Sequence, residues 1–218
     1  MRVYHFINSK FGIQDIKMRR IKVALLNDLN DPFEFFSTDL SDIHTRYSFT
    51  RMKAEFSRSI GLICFSHSCQ NPVQWSHYAD KHQGLCLGFE IPDEKLGKVD
   101  YSIERLVVAT EDLLAFSHLD YGALTKFLFT KYSHWHYENE FRQIVNLDEM
   151  YLEDDKYFAK FSKDLKLVQV IVGAKSKLTR ADLDDALGNL RQDVKVFKAR
   201  LAFKTFRVVR NKNPQEWA

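Results

Sequence analysis

The residues best suited to chemistry fall in one run, His134-Trp135-His136-Tyr137-Glu138-Asn139-Glu140-Phe141-Arg142. Glu138 and Glu140 stand two apart where a strand over 140–147 begins, and alternation along an extended chain projects both from one face. Carboxylates that close repel unless a cation or a catalytic task holds them together. Such a pair suits proton transfer or the stabilisation of developing positive charge. Arg142 falls on the side of Glu140, and the plainer reading is a solvated strand edge on which the two pair.

Three other clusters carry polar groups with chemical potential. In Trp75-Ser76-His77-Tyr78-Ala79-Asp80, helical spacing puts Trp75, Tyr78 and Ala79 on one face, as core aromatics or as the wall of a pocket, with His77 at a rim or in solvent. In Tyr4-His5-Phe6, on a first strand, His5 points away from its neighbours. In Cys64-Phe65-Ser66, the hydroxyl of Ser66 ends a strand. Cys64, Cys69, Cys86, His67, His77 and His82 lie in one stretch but lack the close pairing of a structural zinc site, so no metal is expected. No glycine loop of the Rossmann or Walker kind is present.

The elements that position these groups follow from periodicity and punctuation. Strands are expected over 3–7, 21–26, 61–66, 84–91, 140–147, 165–173, 194–197 and 202–209. Ser9 is the expected cap of a helix over 11–19, and Asn71 with Pro72 opens one reaching about Asp80. Asn30-Asp31-Pro32 marks a turn or helix start, and residues 51–58 read as helical. Asp120 caps an aromatic helix toward Tyr132. Thr179 caps an amphipathic helix with Leu183, Ala186, Leu187 and Leu190 on one face. Irregular alternation of strands and short helices predicts an α+β fold: a mixed, largely antiparallel sheet with flanking helices, in one domain over residues 1–218 with a loose tail over 211–218.

With 32 basic residues against 29 acidic, the net charge of +3 is too small to argue for duplex DNA binding. Even so, Lys195, Lys198, Arg200, Lys204, Arg207, Arg210 and Lys212 cluster near the end of the chain, as an acidic partner would want or as a solvated face would show. No apolar run is long enough to span a bilayer, the first residues lack a signal-peptide core, and three unpatterned cysteines suit a reducing compartment. The expectation is a cytoplasmic protein with no membrane partner.

Taken in order, Tyr4-His5-Phe6, Asn30-Asp31-Pro32-Phe33-Glu34, Cys64-Phe65-Ser66, Trp75-Ser76-His77-Tyr78-Ala79 with Gly84, and Trp135-His136-Tyr137-Glu138-Asn139-Glu140-Phe141-Arg142 resemble the bacterial family catalogued as domain of unknown function 2971. Members look like abortive-infection or other anti-phage defence proteins. A weaker resemblance is to ADP-ribosyltransferases, whose layout is a His or Arg on the first strand, a Ser or Tyr on a middle strand and a Glu opening a late strand. It implies a split β-sheet core and a toxin or defence effector. Such an effector breaks the nicotinamide–ribose bond of NAD and passes ADP-ribose to water or a macromolecule, nucleic acid or protein, under the control of an inhibitor protein. The resemblance implies Glu140 as the carboxylate beside the ribose, Glu138 as the proton acceptor, and Tyr4, His5, Ser66, Trp75, His77, Tyr78 and Arg142 around NAD. In that scheme His5 holds a ribose hydroxyl or phosphate, Tyr78 or Trp75 stacks on nicotinamide, and Arg142 takes pyrophosphate or pairs Glu140. Ser66 and Tyr78 compete for the middle position, and Asn30–Glu34 braces the floor. The alternatives are a non-catalytic interaction module (an antitoxin or sensor component) and a metal-dependent hydrolase or nuclease.

Overall fold

The computed structural model describes residues 1–107, 121–213, 215 and 217. Thirteen strands are defined among them: β1 (Arg2–Ile7), β2 (Arg20–Lys22), β3 (Ile60–Ser66), β4 (Leu85–Glu90), β5 (Gly97–Lys98), β6 (Asp100–Ser102), β7 (Thr130–Tyr132), β8 (Glu140–Asn146), β9 (Tyr151–Glu153), β10 (Lys156–Lys160), β11 (Lys166–Val172), β12 (Lys195–Leu201) and β13 (Val208–Arg210). The α-helices are α1 (Ser9–Met18), α2 (Ile43–Phe56), α3 (Pro72–Tyr78), α4 (Tyr121–Leu128) and α5 (Arg180–Leu187).

The main sheet has eight strands in the order β13-β12-β11-β4-β1-β3-β8-β5. Only β11 and β12 run parallel, with α5 between them in the chain, and the other pairs are antiparallel. This is the α+β, mixed and mostly antiparallel architecture that the alternation of elements predicts. A three-stranded sheet, β2-β10-β9, and a parallel pair, β6-β7, complete it.

The sheet is coherent because β4 is apolar without alternation, and Leu85, Cys86, Leu87 and Phe89 are fully buried. Odd-numbered Leu85, Leu87 and Phe89 face Ile16 of α1 and Leu183 and Leu187 of α5. Even-numbered Cys86 faces Phe6, Trp75 and Ala79, under α3. Gly88 is required by close approach: a Cβ there would lie 2.9 Å from Gln169 Cβ and 3.3 Å from the Tyr4 ring. A third cluster, Phe35, Phe49, Met52, Leu62 and Phe127, seats α2 and α4 beside β3.

One junction in the sheet is incomplete. β1 pairs with β4 through six register positions and β3 pairs with β8 through seven, yet β1 and β3 meet only at Tyr4 and Ser66. Beyond that point the backbones lose their ladder, and the His5 ring reaches across to the Cys64 carbonyl oxygen at 3.0 Å.

Several expected boundaries move. Asn8, not Ser9, caps α1 by accepting from Phe11 N at 2.9 Å, while Ser9 Oγ donates to the Gln83 carbonyl. The 51–58 helix begins earlier, at Ile43, because Asp42 caps it. Asn30-Asp31-Pro32 leads into turns rather than a helix. The strand expected over 202–209 is only Val208–Arg210, since residues 203–206 form the bend of a β12–β13 hairpin. Asp120 lies outside the described residues, although α4 follows it. The tail, expected to be loose, is tied down at Trp217: the indole is buried and donates to Leu178 O at 2.8 Å, and Arg180 Nε donates to Trp217 O at 2.9 Å. No helix among the described residues is long and apolar enough to cross a membrane.

Candidate active site

Where β1 and β3 part, a cavity of about 200 Å³ opens, lined by Tyr4, His5, Ser66, Tyr78, Glu138 and Glu140 among others. Register places these groups together. Tyr4 sits opposite Ser66, and Ser66 sits opposite Glu140, so three adjacent strands bring one row to the open end of the junction. Glu138 arrives differently from the sequence expectation. It ends a 3-10 turn, Ser133–Glu138, and Asn139 at φ 44° swings the chain into β8. Asn tolerates this left-handed conformation better than most residues.

The 3-10 turn is gripped from α3. Asn71 Nδ2 donates to Tyr137 O at 2.9 Å, Gln74 Nε2 to Glu138 O at 2.8 Å, and Tyr78 Oη to the Glu138 carboxylate. Ser66 Oγ lies 2.7 Å from Glu138 O, so this buried hydroxyl braces the turn. The sequence feature Asn71-Pro72 thus both starts α3 and fixes the acidic turn against it.

Below the cavity lies a buried charge network. Arg142, 1% exposed, holds Glu34 through Nη1 and Nη2 at 3.0 and 2.7 Å, and Glu140 through Nε and Nη2 at 2.8 and 2.9 Å. Lys131 Nζ lies 2.6 Å from Glu138, 3.1 Å from Glu34 and 3.3 Å from Glu140. Three carboxylates therefore face two cations. Bidentate Arg–carboxylate geometry is among the strongest forms such pairs take, and it offsets the cost of burying them.

Glu138 and Glu140 are driven apart in proton affinity. Burial opposes ionisation of Glu140, but the Arg142 guanidinium and then Lys131 outweigh it and hold its pKa at about 2. Burial pushes Glu138 above the ordinary Glu range; Lys131 opposes this, and the Glu140 charge reinforces it. Protonating Glu138 leaves two carboxylates against two cations, a balanced cluster. A pair split in this way separates a permanently ionised group from one that exchanges protons.

Acceptor capacity separates them too. Glu140 receives two hydrogen bonds from Arg142 and one from Lys131, which leaves one lone-pair position. Glu138 receives Tyr78 and Lys131, and two positions remain. His5 is neutral at pH 7, because burial lowers its pKa. The Cys64 carbonyl can only accept, so His5 Nδ1 carries the hydrogen and Nε2 keeps its lone pair.

Tyr4, His5, Ser66, Tyr78, Glu138 and Glu140 come together as expected, and three other expected NAD-binding residues do not. Trp75 is fully buried, donates from its indole to Cys69 O at 2.7 Å and packs edge-on to Phe6, so no ligand can stack on it. His77 is exposed beside the Tyr137 hydroxyl at 3.1 Å and does not line the cavity. Arg142 is buried between Glu34 and Glu140 as their ion-pair partner and does not line the cavity. Glu34 braces the floor, as its segment implied. Lys131 escaped the sequence reading. Its one signal is a lysine two residues past the apolar run Phe127-Leu128-Phe129, where a charge needs a partner. Among the described residues, no three His, Cys, Asp or Glu side chains are placed to share a metal ion. Compared with known proteins, the chain matches no family model, no curated protein and no solved structure.

Proposed function

We propose that the chain is an ADP-ribosyltransferase-like enzyme or NAD glycohydrolase that breaks the bond between nicotinamide and ribose. The observation that carries this reading is the convergence of His5, Ser66, Glu138 and Glu140 at the parted β1–β3 junction, with the two carboxylates split in proton affinity. The cavity is smaller than the roughly 300–1,000 Å³ of most ligand pockets. It suits the nicotinamide ring and the adjoining ribose edge, with the adenosine half outside.

In this reading the Tyr4 and Tyr78 rings flank the cationic pyridinium, an arrangement favoured by ring quadrupoles. His5 Nε2 accepts a hydrogen bond from a ribose hydroxyl. As the C1′–N bond breaks, its electron pair goes to the ring nitrogen and neutral nicotinamide leaves. Positive charge grows on the ribose carbon as in glycoside hydrolysis. Glu140, fixed and ionised, stabilises that charge through space, since most of its lone-pair positions are already engaged. Water or a macromolecular hydroxyl attacks C1′, and its proton passes to Glu138. A carboxylate held above its ordinary pKa accepts that proton more readily.

Nicotinamide release from NAD by the purified protein, with cell lysate as a source of acceptors, tests the reading. Glu138→Gln should lower kcat by roughly 10²–10⁴-fold, the usual contribution of a general base. His5→Ala should raise KM more than it lowers kcat. A wild-type protein that neither binds nor cleaves NAD, with lysate present, would overturn the proposal in favour of the non-catalytic interaction module.

A further inference from the structure

The β12–β13 hairpin and its flanks, residues 194–215, contain seven lysines and arginines and no acidic residue. Among the described residues none of the seven forms an ion pair. A modest +3 for the whole chain therefore conceals a strongly cationic ribbon. Aromatic rings are interleaved with it. At the bend, Phe203 and Phe206 are 89% and 97% exposed, with the Arg200 guanidinium 4.3 Å from the Phe203 ring. At the other end, Arg180, Lys198, Arg210 and Lys212 line a cleft of about 320 Å³. Arg180 lies over Trp217 at 4.5 Å and Arg210 over Phe197 at 5.4 Å.

Exposed rings at a bend need a reason, because apolar surface in water is unfavourable and the core has not claimed them. The ribbon is anchored at its base: Val208 N donates to Gln70 O at 2.8 Å, Ala202 N donates to Arg207 O at 2.9 Å, and Val208 and Ala199 are buried against Trp75 and Phe6. Exposed rings alternating with cations that have no ionic partner match one ligand chemistry well. Bases stack on the rings while phosphates meet the cations. A bilayer fits less well. Lys204 and Thr205 stand between the two rings at the apex, so inserting the phenylalanines would carry a charge and a hydroxyl into hydrocarbon. A duplex fits less well too, because its stacked bases hide their faces.

We infer that the β12–β13 ribbon is a binding surface for single-stranded nucleic acid, with Phe203 and Phe206 as stacking platforms and Arg200, Lys204, Arg207 and Arg210 as phosphate contacts. It stands apart from NAD cleavage and is measured without NAD.

Fluorescence anisotropy of a labelled oligouridine strand, and of its deoxythymidine counterpart, tests it over a salt series. Binding should weaken with salt, the log–log slope steepening by about 0.7 for each phosphate neutralised. Phe203→Ala with Phe206→Ala should weaken binding by about tenfold or more, as loss of stacking does. Lys204→Glu with Arg207→Glu should weaken it further and flatten the salt slope. All four side chains are exposed, so circular dichroism and melting should be unchanged in both variants. A wild-type protein that ignores both strands at low salt overturns the inference. So does strand binding that neither variant alters. Sedimentation with phosphatidylserine vesicles in the absence of strand binding would replace it with a membrane surface.

Discussion

At the cleft, Arg142 is 1% exposed and is held by Glu34 and Glu140 together. On the ribbon, Lys204 and Arg207 stand in water with no ionic partner among the described residues. The same class of side chain does opposite work in the two places. Buried charge is paired, because an unpaired ion in a low-dielectric interior costs several kcal/mol. Exposed charge is hydrated and screened over about 10 Å at 0.1 M salt, so it tolerates like neighbours and stays open to a ligand. The cleft therefore couples charge to the fold, while the ribbon couples it to the solvent.

The largest effect that separates the two regions should come from Arg142→Ala, which leaves Glu34, Glu138 and Glu140 to Lys131 alone and should cost about 3–5 kcal/mol in urea denaturation. Replacing the cluster together, as Glu34→Leu, Glu140→Leu and Arg142→Met, sharpens the point. Stability should then return to the wild-type level or exceed it, because well-packed apolar residues often match a buried ion network. If that variant folds yet no longer turns over NAD, the network is kept for chemistry rather than stability.

Acid titration comes next. Glu140 is held at about 2, below its ordinary value, so its contribution to stability is present above roughly pH 4.5 and is lost as pH falls through 2. The loss should be about 3 kcal/mol, read as a falling urea midpoint over that window, and Glu140→Gln should flatten the slope. Glu138 has the opposite sign. Held above its ordinary value, it favours the fold when protonated, and that contribution disappears as pH rises through its folded pKa.

Tyr78→Phe removes one hydrogen bond to Glu138 and should cost about 1.5–3 kcal/mol. Lys204→Ala on the ribbon should change stability by less than about 0.5 kcal/mol, as surface substitutions usually do. A larger loss there would show that the ribbon's charge is coupled to the fold after all, and the contrast between the regions would fail.

Much of the frame was legible in order of residues alone. The apolar runs over 61–66 and 84–91, the Asn71-Pro72 start and the Thr179 cap all lie where punctuation put them, and the Thr179–Asp182 capping box is complete. These are local features, decided by propensity and capping within a few residues. The short strands β5, β6, β7, β9 and β10 were not legible, because two to five residues carry too little period to register.

At the site, the sequence by itself determined which residue types could do chemistry and that Glu138 and Glu140 belong together. It could not assign their roles. Glu34, Lys131 and Arg142 are separated by up to 108 positions, and only the folded chain puts them within hydrogen-bond reach. Tertiary structure alone also withdrew Trp75, His77 and Arg142 from the cavity. A helical face shows which residues share a side but not which side becomes core, and a charge shows a need for a partner but not where the partner stands. Pairing energies act through space, at distances the order of residues does not encode.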